Sequence, residues 1–134
     1  VTRLRVWYGS LRRTVRRTVR RALGRTVLVV VEDPPDRPLD RVLYVVGGPA
    51  PWCAVLLCPC RCGATIAVSL VAADRPSWTF AADAAERPTL APSIHRTVGC
   101  RSHFFLRSGR IVWAGLPQEG RRTARDAHSP RLIA

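Results

Sequence analysis

The chain has 134 residues, enough for one domain and too few for two ordinary ones or for a TIM barrel of roughly 250 residues. All 22 basic residues are Arg and only 9 residues are acidic, a net charge of +13, while a hydrophobic share of 47% separates the chain from a disordered basic tail and 11 Pro with 9 Gly argue against a helical bundle. No apolar run reaches the ~18–20 residues of a membrane-spanning helix.

The charge is uneven. Residues 1–25 hold nine Arg and no acid, residues 26–100 hold six Arg and seven acids, and residues 101–134 hold seven Arg and two acids. A nucleic-acid partner would therefore engage the two Arg-rich ends and not the neutral middle. Ser10 to Gly24 reads as one helix, with Ser10 as N-cap and Gly24 as C-terminal stop. Its Leu11, Val15, Val19 and Leu23 form a single apolar stripe among paired Arg residues, which predicts a weakly packed extension.

From residue 26 the signals turn to strands. Thr26–Val31 is β-branched; residues 32–38 carry three Pro and form a loop; Val42–Val46 is a short strand closed by Gly47-Gly48-Pro49. Trp52–Leu57 and Thr65–Val71 read as buried strands, Ser77–Ala81 puts Trp78 and Phe80 on one face, and Thr89-Leu90 is a short extended piece. His103–Leu106 and Ile111–Trp113 flank a Ser-Gly hairpin turn. The prediction is a mainly β fold: a small domain of short antiparallel strands over 26–116, an Arg-rich helical extension over 1–25 and a loose basic tail over 117–134. Val27–Val31 is too short for the apolar core of a secretory signal and is followed by Glu32-Asp33-Pro34-Pro35, so the expected compartment is the cytoplasm.

Five Cys stand at 53, 58, 60, 62 and 100. In a reducing compartment, metal binding is favoured over disulfides, and the alternate spacing of Cys58, Cys60 and Cys62 is awkward for bridges among neighbours. Pro59 and Gly63 give the segment the look of a zinc knuckle, although three residues separate Cys58 from Cys62 where a knuckle usually has two. Cys58, Cys60, Cys62 and Cys100 supply the four ligands of a closed structural site, with His103 as the alternative to one of them. Cys53, inside an apolar strand, reads as core. A small β domain gains folding free energy from such a metal.

Ser93 follows Pro92 at a sharp turn, and His103 lies ten residues on. A Ser nucleophile with a His base is a minimal pair for acyl transfer if the two meet. His95 is a second candidate base; His128 falls in the tail. Three blocks, Arg41-Val42-Leu43-Tyr44-Val45, Cys58-Pro59-Cys60-Arg61-Cys62-Gly63, and Leu90-Ala91-Pro92-Ser93-Ile94 leading to Cys100-Arg101-Ser102-His103-Phe104-Phe105-Leu106 and then Gly109-Arg110-Ile111-Val112-Trp113, together resemble a bacterial domain family found beside genes for ubiquitin-like conjugation. The resemblance covers about 40–115. One departure is Arg61, where the family usually has Gly; Arg61 must avoid a positive φ or bear its cost. The Arg-rich extension is another.

The resemblance implies a zinc-containing, peptidase-like domain acting on a ubiquitin-like protein or its conjugates, with Ser93 as nucleophile, His103 as base and Ser102 orienting a partner or contributing to the site. Ubiquitin-like proteins or their conjugating enzymes are then the expected partners. The alternative is a zinc-stapled binding module without catalysis, recognising a ubiquitin-like protein or, through its Arg-rich ends, a nucleic acid. A catalytic metal ranks below both, because thiolate ligands make zinc a poor Lewis acid.

Overall fold

The computed structural model describes residues 13–114. Among them are eight strands: β1 (Val27–Val31), β2 (Val42–Val46), β3 (Cys53–Leu57), β4 (Thr65–Ser69), β5 (Thr79–Ala82), β6 (Pro88–His95), β7 (His103–Arg107) and β8 (Arg110–Trp113). They form two four-stranded sheets, β1-β2-β3-β4 and β5-β6-β7-β8.

The two-residue period of a strand explains how the sheets meet. Leu43 and Val45 of β2, Ala54 and Leu56 of β3, and Ile66 and Val68 of β4 pack in one cluster with Leu90 and Ile94 of β6 and Phe104 and Leu106 of β7. Each Val, Leu, Ile or Phe side chain among them contributes about 1.5–3 kcal/mol when fully buried. The alternate residues Val42, Tyr44, Val46, Cys53 and Val55 form a second cluster with Val27 on the other face of the first sheet. β2 is buried on both faces, which is why its sequence, VLYVV, shows no polar alternation.

Seven of the eight strand positions match the expected runs closely, but one pairing differs. β1 and β2 are parallel, whereas short antiparallel strands were expected throughout. The Pro-rich segment 32–41 cannot close a tight hairpin and instead crosses over, since parallel neighbours need a crossing connection. The Leu39 amide donates to the Tyr44 hydroxyl at 3.1 Å, seating that segment against the second cluster.

The larger difference is β6. The sequence suggests only Thr89-Leu90 as extended, yet the strand runs eight residues with Pro92 inside it. Proline has no N–H for a ladder and is tolerated at a bulge. Leu90 pairs with Leu106 and Ile94 with Phe104, so residues 91–93 stand opposite Phe105 alone. The Ala91-Pro92 peptide bond in this bulge is cis.

The β7–β8 hairpin turns through Ser108 (φ 48°) and Gly109 (φ 75°), the left-handed pair of a type I′ turn. A Cβ on Gly109 would stand 2.9 Å from the Thr26 carbonyl, and Thr26 N donates to Gly109 O at 2.8 Å. Residues 13–22 are helical; Ser10 and Leu11 lie outside the described residues. Val15, Val19 and Leu23 are 54%, 51% and 72% exposed, so the stripe does not face the core. Polar contacts attach the helix instead: Arg20 donates to the Ala85 carbonyl, Arg21 Nε to Asp40 O at 3.0 Å and Arg41 to Arg21 O at 3.1 Å. No helix among the described residues is long and apolar enough to cross a membrane.

Candidate functional site

Two groups of chemically capable residues lie on opposite faces of the second sheet. The first is the cysteine cluster. Cys58, Cys60 and Cys62 come from the β3–β4 turn, and Cys100 comes from the connection between β6 and β7. Their four Sγ atoms all lie within 4.8 Å of one another. Cys58 Sγ is 3.2 Å from that of Cys60 and 3.6 Å from that of Cys100. A tetrahedral zinc with Zn–S bonds of about 2.3 Å has S···S edges of about 3.8 Å, so the four thiols fit a metal ion with little movement.

The turn that gathers three of them has clear local causes. Cys58 N donates to Ala64 O at 2.8 Å, and Arg61 N donates to Cys58 O at 3.1 Å. The chain then reverses through two left-handed residues, Arg61 (φ 69°) and Gly63 (φ 84°). Arg61 thus adopts the conformation that Gly permits cheaply. Gly63 has open space where a Cβ would sit, so its requirement is conformational and not steric.

Electrostatics divides the four thiols. Burial pushes the Cys58 and Cys60 thiols up. Burial also acts upward on Cys100, but hydrogen bonds from the Ser102 side chain and amide, Cys58, and the Arg96 guanidinium outweigh it and hold this thiol at about 7. Arg96 lies 3.0 Å from Cys100 Sγ and 3.6 Å from Cys62 Sγ. Ser102, expected to orient a partner or contribute to the site, has its hydroxyl 3.3 Å from Cys100 Sγ and 3.6 Å from Cys58 Sγ. Its side chain therefore belongs to the sulfur cluster. Cys53 is buried in the second cluster, on the far face of the first sheet.

The second group is the pair on the exposed face of β6 and β7. Ser93 Oγ lies 2.9 Å from His103 Nε2, and the pair is part-buried. The hairpin register produces this contact: Ile94 faces Phe104 and His95 faces His103, so Ser93 reaches His103 diagonally across the strands. Ile94 and Phe104 point into the core, which leaves Ser93, His95, His103 and Phe105 on the outer side. The His95 ring stacks on His103 with centroids 4.4 Å apart and planes 17° apart. Phe105 flanks His103 at 6.2 Å, and Arg107 lies 4.1 Å over the Phe105 ring. Among the described residues, the ion pairs Asp40–Arg41 and Asp83–Arg87 leave His103 without a carboxylate partner.

Two contributors escape sequence reasoning. Trp78 Nε1 donates to the Ser93 carbonyl at 3.3 Å, satisfying a group that the bulge takes out of the ladder. Nothing in the sequence marks that bond. Arg96 sits four residues before Cys100, but a lone Arg gives no sign that it will turn toward sulfur.

In a comparison with family models, the family described as bacterial ubiquitination-like system serine protease (BubE) matches residues 30–114. The chain belongs to this family, and the resemblance read from its motifs is borne out. The family gives it a serine-protease-like role in a bacterial ubiquitination-like system. The helix at 13–22 lies outside the matched residues. Comparisons with curated proteins and with solved structures found no match.

Proposed function

We propose that the chain is a Ser–His hydrolase that cleaves an ester, isopeptide or precursor peptide bond at the carboxyl end of a ubiquitin-like protein. The carrying observation is the 2.9 Å contact between Ser93 Oγ and His103 Nε2, on the exposed side of a strand bulge and in a serine-protease family. In this reading Ser93 Oγ attacks the carbonyl carbon while its proton passes to His103 Nε2. The tetrahedral intermediate collapses, and the leaving amine or alcohol takes that proton. The acyl group, now an ester on Ser93, is released by a water that His103 deprotonates in turn, giving a free carboxylate. His103 then needs its proton on Nδ1 at rest, and stacking on His95 holds the ring in plane. His95 is the positioning residue of the pair. Of the amides near residues 93–103 that can serve an oxyanion, that of Arg96 is already committed to Ser102 O at 2.9 Å.

The same proposal places a structural zinc on Cys58, Cys60, Cys62 and Cys100. Four thiolates around Zn²⁺ leave a net charge of −2, which the Arg96 guanidinium reduces. Ser102 then orients sulfur and takes no part at Ser93. We take residues 26–116 as the catalytic unit, 1–25 as an extension and 117–134 as a tail. Free cysteines at every one of the five positions suit a reducing compartment, and we place the protein in the cytoplasm with ubiquitin-like proteins or their conjugating enzymes as partners.

The test is Ser93→Ala in the full chain, assayed for cleavage of a ubiquitin-like protein fused through its carboxyl end to a reporter. Cleavage is lost while thermal stability and metal content stay at wild-type values. An unchanged rate removes Ser93 as nucleophile, whereas no cleavage by the wild type favours the binding-module reading, in which neutralising Arg residues and raising salt weaken function instead.

A further inference from the structure

Among the described residues, the edge of β6 beside Ser93 lacks a partner strand. β5 pairs with β6 only as far as Thr79 opposite Ala91. One residue earlier, the chain turns to the other sheet: Trp78 N donates to Ser69 O at 2.8 Å. The Ser93 carbonyl is met there by the Trp78 indole, and among the described residues no strand pairs with His95 on that side.

The direction of the His95 main chain follows from its neighbours. Arg96 N donates to Ser102 O at 2.9 Å, which makes 96 and 102 a hydrogen-bonded pair. Bonded and non-bonded pairs alternate along an antiparallel ladder, so His95 and His103 are a non-bonded pair that points outward on both sides. His103 confirms this parity, because its carbonyl accepts from Ala114 N at 2.9 Å on the β8 side. The His95 N–H and C=O thus point to the edge that β5 vacates, two residues from Ser93. A hollow of about 780 Å³ opens beside the start of β5, lined by Leu70, Arg75, Pro76, Ser77, Trp78 and Phe80 among others, and Trp78 joins it to Ser93.

We infer that the substrate's extended segment adds as a strand to this edge. It pairs with the His95 N–H and C=O in the place β5 leaves, its scissile carbonyl is delivered to Ser93, and the hollow around Trp78 takes its side chains. Main-chain pairing supplies affinity with little dependence on side-chain identity, and the hollow supplies selectivity. The inference rests on Ser93 as the reacting residue and names how its substrate is held.

Binding without turnover separates the two. In the full-length Ser93→Ala protein, a fluorescein-labelled peptide of the last eight residues of the system's ubiquitin-like protein is titrated by anisotropy. The same peptide is then methylated at one backbone nitrogen at a time, which leaves the protein untouched. One methylated position raises Kd about tenfold or more, and its neighbours do so less, because only alternate amides face the edge. His95→Pro, which removes the N–H, weakens binding about tenfold relative to His95→Ala, which removes only the ring. No binding, a flat methylation series, or equal Kd for Pro and Ala overturns strand addition. The nucleophile reading fails by a different sign: cleavage of a coumarin amide of that peptide at an equal rate by wild type and Ser93→Ala.

Discussion

The strongest demand on the proposed metal site is that its four ligands are not equivalent. Cys58, Cys60 and Cys62 share one turn of the first sheet, and Cys100 alone comes from the second. Removing Cys100 cuts the tie between sheets; removing the half-exposed Cys62 keeps it and opens one ligand position to water. The tie from Cys58 to Cys100 spans 42 residues. Treated as a cross-link of that span, it lowers the entropy of the unfolded chain by an amount worth about 4 kcal/mol at 25 °C. For a domain of about 100 residues, each kcal/mol moves Tm by about 4 °C or more, so Cys100→Ser is expected to melt roughly 16 °C or more below Cys62→Ser. The assay is thermal unfolding by circular dichroism with equimolar zinc, with elemental analysis of each variant. Equal melting temperatures, or a lower one for Cys62→Ser, refute the inter-sheet staple. Wild-type protein without metal, prepared in the absence of chelator, refutes the site altogether.

Four further outcomes are expected. Chelating the proposed zinc from wild type is expected to remove folding free energy comparable to the whole stability of a domain this size, about 5–15 kcal/mol, and to leave loosely packed or unfolded protein; native near-ultraviolet dichroism after chelation counts against it. Arg61→Gly relieves a left-handed non-glycine residue and raises stability by about 0.5–1 kcal/mol, read as a rise in Tm; a fall shows that the Arg61 side chain contributes more than its backbone costs. Trp78→Phe, which removes the N–H to the Ser93 carbonyl, lowers kcat by about five- to tenfold through displacement of the bulge and leaves metal content unchanged; a wild-type kcat removes Trp78 as a positioning residue. Asp83 accepts from Ala85 N at 2.9 Å, Arg87 N at 3.0 Å and Arg87 Nε at 2.6 Å, and these bonds, the Arg87 amide foremost, hold its carboxyl below the usual range. A lowered folded-state pKa contributes stability above the unfolded value of about 3.9 that is lost as pH falls through the folded one. Asp83→Asn is therefore expected to flatten the acid limb of the Tm profile below that pH, and an unchanged limb refutes the assignment.

How much of this is visible in the sequence depends on the range of the signal. Strand positions such as Val42–Val46 and the Ser108-Gly109 turn are encoded by local β-branching and by left-handed turn chemistry, and both read directly. The four-cysteine set is legible because its residue type is rare and its chemistry narrow. The parallel β1–β2 pairing is not legible: Pro34, Pro35 and Pro38 mark a loop but say nothing of where it returns. The length of β6 is hidden because Pro92 breaks the pattern that periodicity relies on, and only pairing with β7 shows the bulge that accommodates it. Ser93 and His103 can be singled out one by one, but their meeting depends on a register set by Ile94 and Phe104 in the core. Ser102 shows the reverse. Adjacency to His103 suggests a place beside it, but consecutive strand-edge residues point to opposite faces, and Ser102 turns inward to sulfur.

That opposition of faces also orders the two sites in the proposed mechanism. Ser93 and His103 stand on the outer side of the β6–β7 hairpin, while Cys100 and Ser102 pack inward with the core. A metal held by all four thiolates has a filled tetrahedral shell, with no open position for a water or a carbonyl. Its contribution to catalysis is then indirect and runs through the closed end of the hairpin. Cys100 fixes the connection between the two strands that carry nucleophile and base, and Trp78 fixes the bulge from the other side. Among the described residues no carboxylate pairs with His103, and in the proposed mechanism precision at Ser93 comes from these two anchors on rigid elements. Replacing zinc with cobalt, which keeps tetrahedral thiolate geometry but alters Lewis acidity, should therefore leave kcat within about twofold of the zinc enzyme. A cobalt-dependent change in the pH–rate profile would instead place the metal in contact with the reacting groups, and it would make the four-thiolate shell incomplete during turnover.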